Sequence, residues 1–193
     1  MQAAFIALQH LLPQHLLSRL MGWLAECRWR WFKNLWISQW IKHFQVDMSE
    51  AESSDLDAYP NFNTFFTRAL KDGARPLADD SDALLCPADG AISQLGRIGN
   101  GRIFQAKGRD YSLVELLGGD RSLAQTFDDG HFATIYLSPR DYHRVHMPVT
   151  GTLRSMHYIP GKLFSVNATT AARVPSLFAR NERAVCILSL IHI

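Results

Sequence analysis

The sequence has little cysteine, little net charge and no apolar run long enough to span a membrane. Each shortage removes a class of protein. Its 193 residues hold three cysteines, Cys27, Cys86 and Cys186. No two form a CxxC pair and the number is odd, which excludes a disulfide framework or a zinc ribbon and fits a reducing, cytoplasmic compartment. Lys and Arg number 20 against 18 Asp and Glu, a net charge of +2. That balance predicts no nucleic-acid partner. Residues 1–18 carry no Lys, Arg, Asp or Glu, yet Gln2, Gln9, His10, Pro13, Gln14 and His15 interrupt them. So many polar groups do not suit lipid core, and the basic-then-apolar order of a secretion signal is missing. Internal repeats and low-complexity tracts are absent too. What remains is 47% hydrophobic and 11% aromatic, enough for a true core.

The residues are unevenly spread. Residues 1–46 hold Arg19, Arg28, Arg30, Lys33 and Lys42 against Glu26 alone, and all five tryptophans. Helical spacing runs over residues 13–44, with Pro13 at a first helical position. Trp29, Phe32, Trp36 and Trp40 share one face, although Lys33 falls within it. One reading is a helical hairpin packed on the protein body. The other, favoured by tryptophan density and excess positive charge, is an interfacial pair with Trp at headgroup depth.

Asp47, Glu50, Glu52, Asp55 and Asp57 follow with no base among them, which predicts a solvated connector or exposed helix. Phe62, Phe65, Phe66 and Leu70 predict a short amphipathic helix that Arg75-Pro76 ends. From residue 84 the texture is β. Leu84-Leu85 and Ala91-Ile92 flank the turn signal Pro87-Ala88-Asp89-Gly90. Phe132 to Leu137, Gly151 to Ile159 and Ala184 to Ile193 are strand candidates, and Pro160-Gly161 turns the chain. The expectation is an α+β fold: N-terminal amphipathic helices over 1–46, a connector and short helix over 47–83, and an incomplete β-rich catalytic domain over 84–193.

The densest chemistry lies in Ser138-Pro139-Arg140-Asp141-Tyr142-His143-Arg144-Val145-His146-Met147-Pro148. Ser138 with Asp141 reads as a capping box and Pro139 as a first helical residue, so one or two helical turns are predicted. On them His143 and His146 share a face. Two such imidazoles suit acid–base work, or metal ligation with a third ligand that no HExxH or nearby cysteine supplies; they are also ordinary in packed or surface positions. Asp89-Gly90 by itself is a turn signal. Ser165 lacks the GxSxG of a nucleophile elbow, so Ser165 and Asn167 read first as loop hydrogen-bonders. Gln105-Ala106-Lys107-Gly108 is a weak phosphate-turn candidate.

These strings carry a resemblance. Cys86 to Gly90, Gln105 to Gly108, Tyr136 to Pro148, Leu163 to Asn167, Phe178 to Arg183 and Phe62 to Arg68 resemble bacterial phosphatidylserine decarboxylases. The resemblance implies decarboxylation of phosphatidylserine to phosphatidylethanolamine in phospholipid biosynthesis, through a Schiff base to a covalent pyruvoyl group. That group arises by self-cleavage at the serine of a Leu-Gly-Ser-Thr motif. By position Asp89 and His146 match the self-processing Asp and His, and His143 the histidine of the decarboxylation step. Ser165 and Asn167 are candidate substrate-binding residues, with no metal required. The implied partners are phosphatidylserine, an anionic membrane surface, the pyruvoyl-bearing α chain of the same proenzyme and a second copy in a homodimer. The implied location is peripheral, on the cytoplasmic side of the cell membrane. No Leu-Gly-Ser-Thr occurs in the 193 residues. The expectation is therefore a C-terminally truncated chain that is inactive alone. A non-catalytic anionic-lipid-binding remnant and a metal-dependent hydrolase using His143 and His146 are the alternatives.

Overall fold

A computed structural model describes residues 2–80 and 83–190. In chain order the elements are α1 (Gln2–Leu11), α2 (Gln14–Ala25), α3 (Arg30–Phe44), a 3₁₀ turn at Leu56–Ala58, α4 (Phe62–Phe66), β1 (Ala91–Arg97), β2 (Arg102–Ala106), β3 (Arg109–Ser112), α5 (Leu113–Leu116), α6 (Arg121–Thr126), β4 (His131–Tyr136), β5 (Thr152–Ile159), α7 (Ala168–Ala171), α8 (Leu177–Arg180) and β6 (Arg183–Ser189). The fold is α+β. It divides into two compact units: residues 18–91 with 137–151, and residues 1–17 with 92–136 and 152–193.

The unit formed by residues 18–91 and 137–151 is aromatic. Ile37, Val46, Tyr59, Phe62 and Phe65 are its buried core, with Trp36, Trp40, Phe44 and Phe66 packed around them. Trp36 stacks on Phe62 at 4.3 Å between ring centres, and Trp40 meets the same ring edge-on at 5.0 Å. The Trp40 indole N–H donates to the Pro139 carbonyl at 3.1 Å. So Trp36 and Trp40 belong to a protein core, whereas Trp23, Trp29 and Trp31 are exposed. Lys33 explains its own place on the apolar side: it is buried, and its ammonium donates to Asn34 Oδ1 at 2.6 Å and the Leu56 carbonyl at 2.9 Å. A buried cation keeps its charge only with such partners.

The acidic stretch is not a bare connector. Ala51 is buried and bridges Leu70, Asp55 caps the 3₁₀ turn, and Asp57 holds Arg30 in an ion pair. Helical structure over 13–44 is broken at residues 26–29, and α1 adds a helix before it. The expected short helix stops at Phe66, well before Arg75.

The second unit, called the hairpin unit after its tight β2–β3 turn, is built of two-stranded sheets. β1 pairs with β4, β2 with β3, and β5 with β6. The β2–β3 turn uses Lys107 and Gly108, both at positive φ, as a two-residue hairpin turn requires. Ile98, Ile103, Tyr111, Leu113 and Ala124 form one buried cluster; Phe164, Val174 and Leu177 form another. The buried Gln105 carboxamide joins the clusters. It donates to the Ala171 and Val174 carbonyls and accepts from the Leu177 N–H at 2.9 Å. The predicted turn at Pro160-Gly161 is present, and Gly161 is needed there: an added Cβ would sit 2.4 Å from the Arg180 carbonyl oxygen. β4, β5 and β6 occupy the predicted stretches, although residues 191–193 of the last lie outside the described ones. Leu84-Leu85 forms no strand.

Candidate active site

The segment from Ser138 to Pro148 is a turn followed by non-helical chain, not the expected helix. Half of the capping box does form: the Asp141 carboxylate accepts from the Ser138 N–H at 2.6 Å and hydroxyl at 2.8 Å. Beyond Asp141 the chain finds better partners than its own turns. The His146 N–H donates to the Pro87 carbonyl at 2.8 Å, and the Leu85 N–H to the Pro148 carbonyl at 2.8 Å. Backbone groups committed across the chain in this way cannot close helical bonds.

Residues of α4 and the turn after it are the platform for this segment. The Arg144 guanidinium donates to the Thr67 carbonyl at 2.8 Å, and buried Arg68 donates to the Arg140 carbonyl at 3.1 Å. His143 lies flat on Phe66, ring centres 4.0 Å apart. Its Nε2 is 3.1 Å from the Ser138 carbonyl, which assigns the proton to Nε2 and leaves Nδ1 as an acceptor. Burial pulls the His143 pKa below the ordinary histidine value; the Arg68 cation adds to this, while the Ser138 carbonyl and Asp141 oppose it. Burial thus favours the neutral imidazole at His143.

His146 has a different environment. It is exposed, its ring stacks on Tyr142 at 5.5 Å, and its Nε2 lies 2.8 Å from the Tyr142 hydroxyl. The two histidines do not share a face, because the helix that would align them is absent. Among the described residues no three His, Cys, Asp or Glu side chains gather as a metal site.

Asp89 and His146 line one cavity of about 660 Å³, together with Arg75, Cys86, Tyr142 and Arg144. The Asp89 carboxylate is held by Arg75, Nε at 2.7 Å and Nη2 at 2.6 Å. Arg75 in turn clasps Glu50 in bidentate fashion, at 3.0 and 2.7 Å. These hydrogen bonds, Glu50 first and then Asp89, raise the Arg75 pKa further. Sequence reasoning missed Glu50 and Arg75. Arg75 looked like a helix stop and Glu50 one acid in a solvated run, and no local pattern marks either.

Ser165 and Asn167 belong to the other unit. Asn167 caps α7 in a reciprocal capping box with Thr170. Ser165 is exposed and bound through its N–H and hydroxyl to Gln9.

Comparison with known proteins identifies the family. The family profile described as phosphatidylserine decarboxylase matches residues 62–192, from the platform through both histidines. The chain belongs to the phosphatidylserine decarboxylase family. A second profile, PSD, matches residues 4–45. Among relatives of the family, the phosphatidylserine decarboxylase proenzyme of Pseudomonas aeruginosa (strain LESB58) is 68% identical over 183 residues, covering 95% of this chain. Those of Pseudomonas fluorescens (strain Pf-5) and Pseudomonas putida (strain F1) are 67% and 66% identical over the same length and share. The chain spans 63% to 64% of the length of these relatives.

Proposed function

We propose that this chain carries the carboxylate and imidazole groups of a phosphatidylserine decarboxylase that makes phosphatidylethanolamine for phospholipid biosynthesis. The observation that supports this best is the shared cavity of Asp89 and His146 beside a separately housed His143. In this reading Asp89 and His146 serve self-processing, with His146 taking a serine proton and Asp89 supporting the resulting charge. Tyr142, hydrogen-bonded to the His146 ring, orients it. A neutral His143 with Nδ1 free takes a proton and returns it at the substrate α-carbon. Arg144 lines the cavity as a cation suited to a carboxylate or phosphodiester, while Arg75 is committed to Glu50 and Asp89.

The donor set fits a covalent pyruvoyl group, because imidazole, phenol and carboxylate side chains can pass protons beside it. Its carbonyl, joined to the substrate through the amine, would supply an electron sink for the pair that departing CO₂ leaves on the α-carbon. The serine that forms it is on the α chain of the same proenzyme, which we take as the partner. Apolar side chains exposed on β5 and β6, among them Leu153, Met156, Tyr158 and Leu188, support a partner at that sheet.

Residues 1–46 are the membrane-surface segment in this reading, 47–83 a connector and short helix that also supplies Tyr59, Phe62 and Phe65 to the core, and 84–193 the catalytic part. No helix among the described residues is long and apolar enough to cross a membrane. Exposed Leu11, Leu16, Leu20, Met21 and Trp23 support peripheral seating on an anionic lipid surface at the cytoplasmic face.

The test is expression of the full-length protein. It should split into two chains and release CO₂ from phosphatidylserine vesicles. Asp89→Asn or His146→Ala should leave it unsplit on a gel, and His143→Ala should split without turnover. Normal splitting of the Asp89 and His146 variants would overturn these roles, and a split protein that makes no phosphatidylethanolamine would overturn the function.

A further inference from the structure

Arg75 takes no part in the proton transfers, yet its guanidinium bridges two carboxylates at once. Nε donates to Asp89 Oδ2 at 2.7 Å, and Nη2 lies 2.6 Å from the same oxygen. Nη1 and Nη2 donate to the two Glu50 oxygens at 3.0 and 2.7 Å, and Nη1 also reaches the Ala74 carbonyl at 2.7 Å. The backbone builds this clasp within one unit. The chain at Glu50 lies antiparallel to the chain after Arg68: the Lys71 N–H donates to the Glu50 carbonyl at 2.9 Å, the Glu52 N–H donates to the Ala69 carbonyl at 3.0 Å, and Ala51 bridges Leu70. The Ala74 N–H then returns to the Lys71 carbonyl at 3.1 Å, around Gly73 at positive φ, and Arg75 comes back to Glu50. On the far side, the bond from the His146 N–H to the Pro87 carbonyl joins the stretch of His146 to that of Asp89.

Folding alone gives little reason for such a clasp. The Glu50 and Arg75 side chains are each 42% exposed, and an ion pair so wet adds modestly to stability. Its consequence is geometric. An aspartate that serves an imidazole presents one oxygen to a ring N–H. Both Arg75 contacts fall on Asp89 Oδ2, which leaves Oδ1 for a second donor. His146 Nε2 already lies at the Tyr142 hydroxyl, so Nδ1 is the ring nitrogen left for a carboxylate. Asp89 and His146 line the same cavity.

We propose that Arg75, clasped by Glu50, is a positioning residue for self-processing: it holds Asp89 by one oxygen and turns the other to the His146 imidazole. The proposal rests on the self-processing roles of Asp89 and His146 given above. It extends that machinery to Glu50, which lies between the two profile-matched ranges, 4–45 and 62–192.

The test uses the full-length proenzyme and follows its splitting against time on a gel. Arg75→Ala should slow splitting about 100-fold, the cost of misplacing a reacting group. Arg75→Lys keeps the charge without the fork and should slow it comparably. Glu50→Gln weakens the clasp but leaves Arg75 on Asp89, and should slow it about tenfold. The double variant of Glu50→Gln and Arg75→Ala should be no slower than Arg75→Ala alone, since both act through one contact. Millimolar guanidinium in the buffer should restore most of the splitting of Arg75→Ala and leave Asp89→Asn unsplit. The unfolding midpoints of Arg75→Ala and Glu50→Gln, taken before they split, should match that of Asp89→Asn. Wild-type splitting in Arg75→Ala or in Glu50→Gln would overturn the proposal. So would slow splitting that guanidinium fails to restore, whether or not the midpoint falls. Normal splitting of Asp89→Asn would instead overturn the roles on which the proposal rests.

Discussion

The two units solve the problem of burial differently. The unit of residues 18–91 and 137–151 gathers large aromatic rings around α3 and α4, so that a few side chains fill the core. The hairpin unit has two small buried clusters, leaves apolar residues such as Ile92, Leu95 and Met156 exposed, and is joined by buried carboxamides. A core of rings fails by losing volume. A core stitched by amides fails by losing partners. The difference teaches where each unit is vulnerable.

That comparison can be broken deliberately. The largest effect belongs to Phe65→Ala, which empties a fully buried site and should cost about 3–5 kcal/mol in denaturant unfolding. A loss below ~1 kcal/mol would mean that the aromatic core collapses onto the gap. Gln105→Leu should come next, at about 2 kcal/mol. It nearly preserves volume but strands the Ala171 and Val174 carbonyls and the Leu177 N–H. Unchanged stability would show that burial alone holds the hairpin unit.

The smallest effect is in pH. The folded pKa of His143 lies below the ordinary value of 6.5. The unfolded chain therefore takes the proton first, and stability rises with pH through that window. Stability should be full above about 6.5 and decline as pH falls below it. His143→Gln should flatten the decline, measured as the unfolding midpoint against pH. An unaltered slope would assign it to another group.

Much of this was legible in the sequence, for identifiable reasons. β4 and β5 are bounded runs rich in strand-forming residues, recognisable without their partners. Trp36 and Trp40 announced an apolar helix face, but not whether lipid or Phe62 would cover it. α5 to α8 span four to six residues each, too short for a helical period to register. The segment after Ser138 was misread because its local signal is real: Asp141 does reach back to Ser138. Contacts to Leu85, Pro87, Thr67 and Phe66, distant in sequence, then outweigh it. Arg75 and Glu50 carried no pattern at all, since their meaning comes only from meeting each other and Asp89.

The platform of α4 and Thr67-Arg68 also orders events in time. A ribosome delivers this platform roughly seventy residues before it delivers His143, a few seconds at ordinary rates of synthesis. The segment that carries Phe66 precedes the histidine loop, and until that loop lands His143 lacks its ring neighbour, whereas His146 carries Tyr142 with it.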